Sequence, residues 1–300
     1  MANTDVLTSE IILLYAEEAV AGDGTTPAIF VPFEEDSFQD GTKTSRTQYE
    51  MGGTGSPYRV IGTLESVGDN GIGFKSAWYP GLTDPLLSSC GLATGVAPKS
   101  LCFGFGDGTL GSTKYPGMTL ASATLTGDGS SNTPWMWDFK FEGIKDPTPG
   151  GAALTKPVIA AVDPYDWPSI TSIGLIGEAA SGLVTRATWN FMTPNATGRG
   201  SKGQRGPTKR RNEAIKATGD ISAFFASSAR YADALAHGGT GGSITLVLTK
   251  GAHTATITIP VAVYVDPNKS PAKGGYLLET MQWLAKSSDT ATAPYTVVTT

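Results

Sequence analysis

Residues 215–239 read IKATGDISAFFASSARYADALAHGG, and this stretch decides how the chain is read. Ile215, Ala217, Gly219, Ile221 and Ala223 alternate with Lys216, Thr218, Asp220 and Ser222, the period of a strand with one buried face. Ser227 or Ser228 then stands where a helix cap belongs. Tyr231 and Leu235 would share one face of that helix, and Gly238 and Gly239 would end it. The same order occurs earlier. Residues 59–66, RVIGTLES, alternate in the same way, with Ile61 falling on the polar side. Thr83 or Asp84 can cap a short helix with Pro85 in its first turn and Leu86 and Leu87 inside, before Gly91.

Gly62 and Gly219 lie 157 positions apart (219 − 62), and residues 117–125 (GMTLASATL) lie against 275–283 (GYLLETMQW) at 158 (275 − 117). Two element pairs at nearly one spacing point to a duplicated unit, the alternative being chance likeness between two β-rich segments. DPTPGG at residues 146–151 is the best boundary. The expected units are 1–148, an N-terminal arm plus the first copy, and 149–300, the second copy with a basic loop at 199–211.

Composition agrees with a β-rich chain. In 300 residues there are 38 glycines and 19 prolines, which implies short strands joined by many turns. No apolar run approaches the roughly 18 residues of a membrane span, and MANTDVLTSE lacks the basic and apolar regions of a secretion signal, so the expected place of synthesis is the cytoplasm. Cys90 and Cys102 have neither metal nor redox spacing and are expected to be buried thiols.

In chain order, residues 11–20 fit helix and strand equally well, and residues 28–33 form a short strand candidate. The acidic run Glu34, Glu35, Asp36 reads as a solvated face or as a docking surface. FGFGDGTLG at 103–111 lacks the Lys-Ser/Thr of a phosphate cradle and is expected to be a turn-rich connection. Residues 118–126 read as a strand. WMWDFKFE at 135–142 is the clearest strand, with Trp135, Trp137, Phe139 and Phe141 on the core face and Met136, Asp138, Lys140 and Glu142 opposite. Residues 158–162 form a further candidate. Residues 170–177 and 183–192 suggest a hairpin, with Leu183, Ala187, Trp189 and Phe191 facing inward.

Next comes GRGSKGQRGPTKRR at 198–211, which holds six of the 22 basic residues and no acidic one. It reads as a mobile loop. Arg199, Lys202, Arg205, Lys209, Arg210 and Arg211 form a solvated tip, or an arm docking on the Glu34–Asp36 surface of a neighbouring copy. A grip on nucleic acid is a third reading, although no aromatics are interleaved for base stacking. Residues 243–248 and 255–265 form a hairpin closed near Lys250 and Gly251, with Pro260 marking an edge or bulge. Residues 276–285 and 295–300 complete the strands.

Nothing converges as an active site. His237 and His253 have no partner at ligand spacing, no nucleophile-elbow serine is present, and the Asp-Gly pairs at 23, 107 and 128 lack the rest of a calcium loop. The chain is expected to be a non-enzyme without cofactor or metal.

The order of these motifs resembles the major tail tube proteins of long-tailed bacteriophages. LLYAEE (13–18) before Gly24 and Thr25 is similar to their start, and RVIGTL (59–64) followed by Leu86 and Leu87 to their first half. SITSIGLIGE (169–178), then TGDI (218–221) with Tyr231 and Leu235, resemble their second half. TITIP (256–260) and Gly274-Gly275 resemble its close. The long basic loop departs from the pattern. The resemblance implies a mainly β fold with a few short helices, built of duplicated β-sandwich or half-barrel units. It also implies a structural virion protein whose rings stack into a tail tube that conducts DNA during ejection. The expected partners are copies of itself (a ring of three chains with pseudo-sixfold symmetry, or six chains), stacked rings, tape-measure and other tail proteins, and DNA passing without sequence-specific binding. The resemblance further implies no membrane partner and a location in the virion tail. Arg59, Thr63, Glu65, Lys216, Thr218, Asp220 and Ser222 are the candidates to face the lumen. Two alternatives stand beside this reading: another β-rich virion protein of decoration or baseplate type, and a soluble nucleic-acid-binding module using the basic loop.

Overall fold

The computed structural model describes residues 11–300 apart from 42–43, 51–59, 68–69, 94–97, 109–110, 132, 177–182, 194, 199–208, 213–215, 225–240, 272–276 and 287–293. A first group of elements comprises β1 (Ile11–Glu17), β2 (Ile29–Phe30), β3 (Gln39–Asp40), β4 (Thr44–Glu50), β5 (Val60–Val67), β6 (Asn70–Ala77), α1 (Asp84–Ser89), β7 (Leu101–Asp107), β8 (Ser112–Asp128), β9 (Met136–Gly143) and β10 (Thr148–Gly151). A second comprises β11 (Ile170–Gly174), β12 (Val184–Met192), β13 (Asn195–Gly198), β14 (Lys209–Asn212), β15 (Lys216–Phe224), β16 (Gly242–Lys250), β17 (His253–Pro271), β18 (Leu277–Ala285) and β19 (Thr296–Thr299). Every pairing is antiparallel.

In the first group the neighbours run β1, β7, β8, β9, β6, β3. β10 also lies on β8, and β4–β5 forms a separate ribbon. In the second they run β11, β16, β17, β18, β15, β12, with β19 on β17 and β13–β14 a separate ribbon. The groups join where β8 pairs β12. The long strands β8 and β17 bend alike. In the β7–β8 ladder, Phe103 faces Tyr115 and Leu101 faces Met118, so β8 holds one extra residue. In the β16–β17 ladder, Ile244 faces Ile259 and Gly242 faces Ala262, with the same surplus on β17. Pro116 and Pro260 sit inside these two bulges, where a missing N–H breaks no ladder bond.

The bends let each long strand serve two layers. One layer holds β3, β6, β9, β8, β12, β15, β18 and the end of β17. The other holds β1, β2 and β7 with the start of β8, and β11, β16 and β19 with the start of β17. Between them lies one apolar core. Its aromatic seam includes Phe103 against Phe141 (centroids 4.7 Å apart), Phe74 against Phe103 (5.9 Å) and Phe191 against Tyr295 (4.6 Å). Such edge and tilted contacts add to the area term.

Helix α1 follows its sequence signals. Pro85 occupies the first turn, Leu86 and Leu87 are buried, and Gly91 takes φ 71°, the left-handed conformation that ends the helix. The Asp84 carboxylate accepts from Gly81 N and from Trp78 Nε1, fixing the turn before the helix. Cys90 and Cys102 are free and buried, and burial pushes the Cys102 thiol up to about 11.

Several expectations are corrected. The 157-residue spacing does not join strands of equivalent place: among the described residues β5 pairs only β4 in its ribbon, whereas β15 lies between β12 and β18. Nor does 158, because β8 borders both groups while β18 lies inside one. Residues 170–174 and 184–192 are not a hairpin. β11 pairs β16, and β12 pairs β15 and β8, because Trp189 and Phe191 reach the core only there. Residues 101–107 are a buried strand rather than a turn-rich connection, since Phe103 anchors between the layers, Gly106 passes close to the Gly111 and Ser112 backbone and Gly104 makes room for Pro27. Residues 158–162 form no strand, and Val158 is fully exposed. Within the basic loop, Lys209, Arg210 and Arg211 belong to β14 and pair with β13. The helix expected after Ser228 lies outside the described residues.

Candidate functional site

The strand that opened the sequence reading also builds the site. In β15, Ala217, Gly219, Ile221 and Ala223 are buried, while Lys216 is exposed and Thr218, Asp220 and Ser222 are half-buried on the opposite face. A two-residue period allows no other division. Trp283 is the reason position 219 is a glycine. A Cβ there would stand 2.0 Å from the Thr188 carbonyl oxygen and 2.5 Å from the Trp283 ring.

Residues directly opposite in adjacent strands share a face, so the ladder extends this polar surface in both directions. From β15 it reaches Thr280 and Gln282 on β18, and Arg186, Thr188 and Asn190 on β12. From β12 it continues to Asp128, Thr126 and Thr124 on β8, then to Asp138 and Lys140 on β9, and to Lys75 on β6. The opposite face of the same strands carries Trp137, Phe139, Leu125, Trp189, Phe191, Met281 and Trp283, each buried.

Hydroxyls and amides stitch the polar surface across strands. Thr124 Oγ1 donates to Asn190 Oδ1 at 2.9 Å across the β8–β12 junction, and Ser222 Oγ and Thr280 Oγ1 lie 3.0 Å apart across β15–β18. The surface is hollowed between β12, β15 and β18, where Asn190, Thr218, Asp220, Thr280 and Gln282 border a concavity of about 540 Å³. Among the described positions paired in these ladders the charges balance. Lys75, Lys140, Arg186 and Lys216 are four cations, and Asp128, Asp138, Glu142 and Asp220 are four anions (4 − 4 = 0).

Of the sequence-derived lumen candidates, the structure places Lys216, Thr218, Asp220 and Ser222 together on this face. Arg59 lies outside the described residues. Thr63 and Glu65 belong to β5, where backbone pairing sets them opposite Gln48 and Arg46 in the β4–β5 ribbon rather than in the sheet of β15. Arg199, Lys202 and Arg205 also lie outside the described residues. Glu34 and Asp36 are exposed beside a 3₁₀ turn at Glu35–Ser37, tied to the sheet by Glu34 N donating to the Lys75 carbonyl.

Sequence reasoning missed Lys75, Asp128, Arg186 and Asn190 as parts of this wall. It also left Asp138 and Lys140 without a role. The signal was available for β9, whose polar side alternates as cleanly as that of β15. Among the described residues no group of His, Cys, Asp and Glu is arranged to hold a metal ion, and no helix is long and apolar enough to cross a membrane.

A family model described as phage tail tube protein matches residues 8–296. No curated protein matches the sequence.

Proposed function

The chain belongs to the phage tail tube protein family, structural components of the virion that assemble with one another and with other tail proteins, and from that premise we propose that it forms closed rings whose polar sheet face lines a DNA-conducting bore. The observation that carries the reading is the continuous, hollowed polar face backed by an aromatic core. A wall for passing DNA must wet readily without holding phosphates. Each phosphate neutralised by a lysine or arginine adds salt-dependent affinity. Four cations matched by four anions supply little net attraction. Lys216, Thr218, Asp220 and Ser222 are bore-lining residues in this reading, and the chain performs no catalysis.

The repeated order of pairings, with matching bulges at Pro116 and Pro260, supports two copies of one unit in the chain. Units of 1–148 and 149–300 fit it, except that β10 (Thr148–Gly151) pairs with β8 and belongs with the first. Two units per chain make three chains sufficient for a pseudo-sixfold ring. The ribbons β4–β5 and β13–β14 interrupt the two units at the same place, between β3 and β6 and between β12 and β15. They are arms toward neighbours. The basic arm bearing Arg199, Lys202, Arg205, Lys209, Arg210 and Arg211 docks on the Glu34, Glu35 and Asp36 surface of an adjacent copy.

Electron microscopy of the purified protein tests the reading. Stacked rings or tubes with a central hole are expected. Monomers at all concentrations, or rings that never stack, would refute it. DNA retention lost when Lys209, Arg210 and Arg211 become serine would favour a nucleic-acid-binding module instead.

A further inference from the structure

The ladder registers of the two groups specify how one copy meets the next, granted the ring reading above. Met118 is paired on both sides, with Leu101 and Gly143, and Ala262 likewise with Gly242 and Ala285. These two residues hold the same place, 144 apart (262 − 118). Beyond Met118, on the side facing β7, β8 takes β12 as its neighbour over Ser122–Asp128. Beyond Ala262 on the corresponding side, β17 continues to Pro271 with β18 on its other flank and, among the described residues, no strand on this one.

The other half of the junction is equally defined. Thr188 pairs Asp220, which pairs Gln282; Gln39 pairs Gly73, which pairs Lys140. Lys140 and Gln282 lie three residues before Gly143 and Ala285, so Gln39 of β3 stands where Thr188 of β12 stands.

We propose that β3 of a second copy of this chain adds to the margin of β17 over residues 266–271, antiparallel and in the register of the internal β8–β12 junction. Thr126 faces Thr188 within the chain. Shifting 126 by 144 sets Ser270 opposite Gln39 of the next copy. Thr126, Thr188 and Gln39 share the polar face, and backbone pairing of position 270 with Leu278, two before Thr280, sets it on the same side of the sheet, so the bore wall continues unbroken from copy to copy. The contact is head to tail, with different surfaces on the two sides, which is the kind that closes into rings. It also covers sheet margins that would otherwise invite uncontrolled pairing.

The polar-faced layer contributes eight strands per chain: β3, β6, β9, β8, β12, β15, β18 and β17. Three copies give 24 strands (3 × 8). At about 4.8 Å between strands and a tilt of about 40°, they enclose a bore of about 48 Å between backbones, or about 40 Å inside the side chains.

Disulfide trapping tests the register. A Gln39→Cys chain co-assembled with a Ser270→Cys chain should give a crosslinked dimer on oxidation. The doubly substituted chain should give a ladder ending at three. A Gln39→Cys and Pro271→Cys mixture, one residue out of register and facing the other side, should crosslink at least tenfold more slowly. Equal rates in tubes that still form would overturn the edge assignment and leave the tube reading intact; absence of rings would sink both. Hydrogen exchange on the unsubstituted protein supplies a second readout. Amides at 266, 268–270 and 39–41 should slow on assembly (Pro267 and Pro271 have none), and unchanged exchange there overturns the proposal.

Discussion

Replacing Glu18 by alanine should destabilise the first group at the point where its layers separate. The residue is 8% exposed, and its carboxylate accepts four hydrogen bonds. Gly22 N (2.9 Å), Gly117 N (3.0 Å) and Ser100 Oγ (2.6 Å) donate to Oε2, and Gly24 N (3.1 Å) donates to Oε1. Gly117 lies at the bulge where β8 is about to exchange β7 for β12 as its neighbour. One carboxylate therefore ties the end of β1, the turn at 21–24 and the approach to β7 to the point where the layers separate. Lys145 Nζ closes the same knot by donating to the Gly22 carbonyl.

Hydrogen bonds to a charged acceptor contribute about 1.5–3 kcal/mol each, but four on one group are not additive, and the Gly24 and Ser100 contacts are partly reached by water. The buried donors left without an acceptor therefore set the scale, about 3 kcal/mol. Glu17, the preceding residue, is the control. It pairs with Lys99 at 2.5 Å with both side chains well exposed, so Glu17→Ala should cost about 1 kcal/mol or less. Guanidinium unfolding of unassembled protein, followed by tryptophan fluorescence, measures both. A Glu18→Ala loss below about 1 kcal/mol, or one equal to that of Glu17→Ala, would refute that role for the carboxylate.

Four other outcomes are expected. Gly219→Ala should destabilise by about 3 kcal/mol, because the added carbon meets backbone at Thr188 and the Trp283 ring; the melting temperature reports it. Phe139→Ala opens a void between Trp137, Phe74 and Phe141 and should cost about 3–5 kcal/mol by denaturant titration. The Lys99 hydrogen bond, with help from Ser89, holds the Glu17 carboxyl below its ordinary value of 4.5. A depressed carboxyl stabilises above its unfolded value and loses that contribution as pH falls through the folded one. The stability difference between the parent and Glu17→Gln should therefore be constant above about pH 5 and vanish on acidification, as a pH series of unfolding curves would show. Changing Lys209, Arg210 and Arg211 to serine should leave monomer stability within about 0.5 kcal/mol while raising the concentration needed for assembly, measured by sedimentation.

The sequence alone determined many of the elements whose faces differ in character, although β6, whose faces also differ, went unread. The alternation in 216–224, the aromatic row in 136–143 and the Pro85–Gly91 helix signals were legible because each depends on neighbours a few residues away. Membership of the tail tube family was legible too, since the order of such elements survives when identities do not. What only the tertiary structure decided was which strand lies beside which. Residues 157 apart look alike because any two half-buried strands share a period, yet β5 and β15 occupy different places. On the two-unit reading proposed above, β6 corresponds to β15 and β9 to β18, at spacings that shift from one pair to the next. Residues 101–107 are rich in glycine and read locally as a turn; they form a strand because Phe103 fills a space bounded by residues far away in the chain. The polar wall likewise draws on six strands whose order the alternation of any single one leaves open. Pairing is a long-range choice, settled by how bulky aromatics from both layers share one core, and a local pattern holds no record of it.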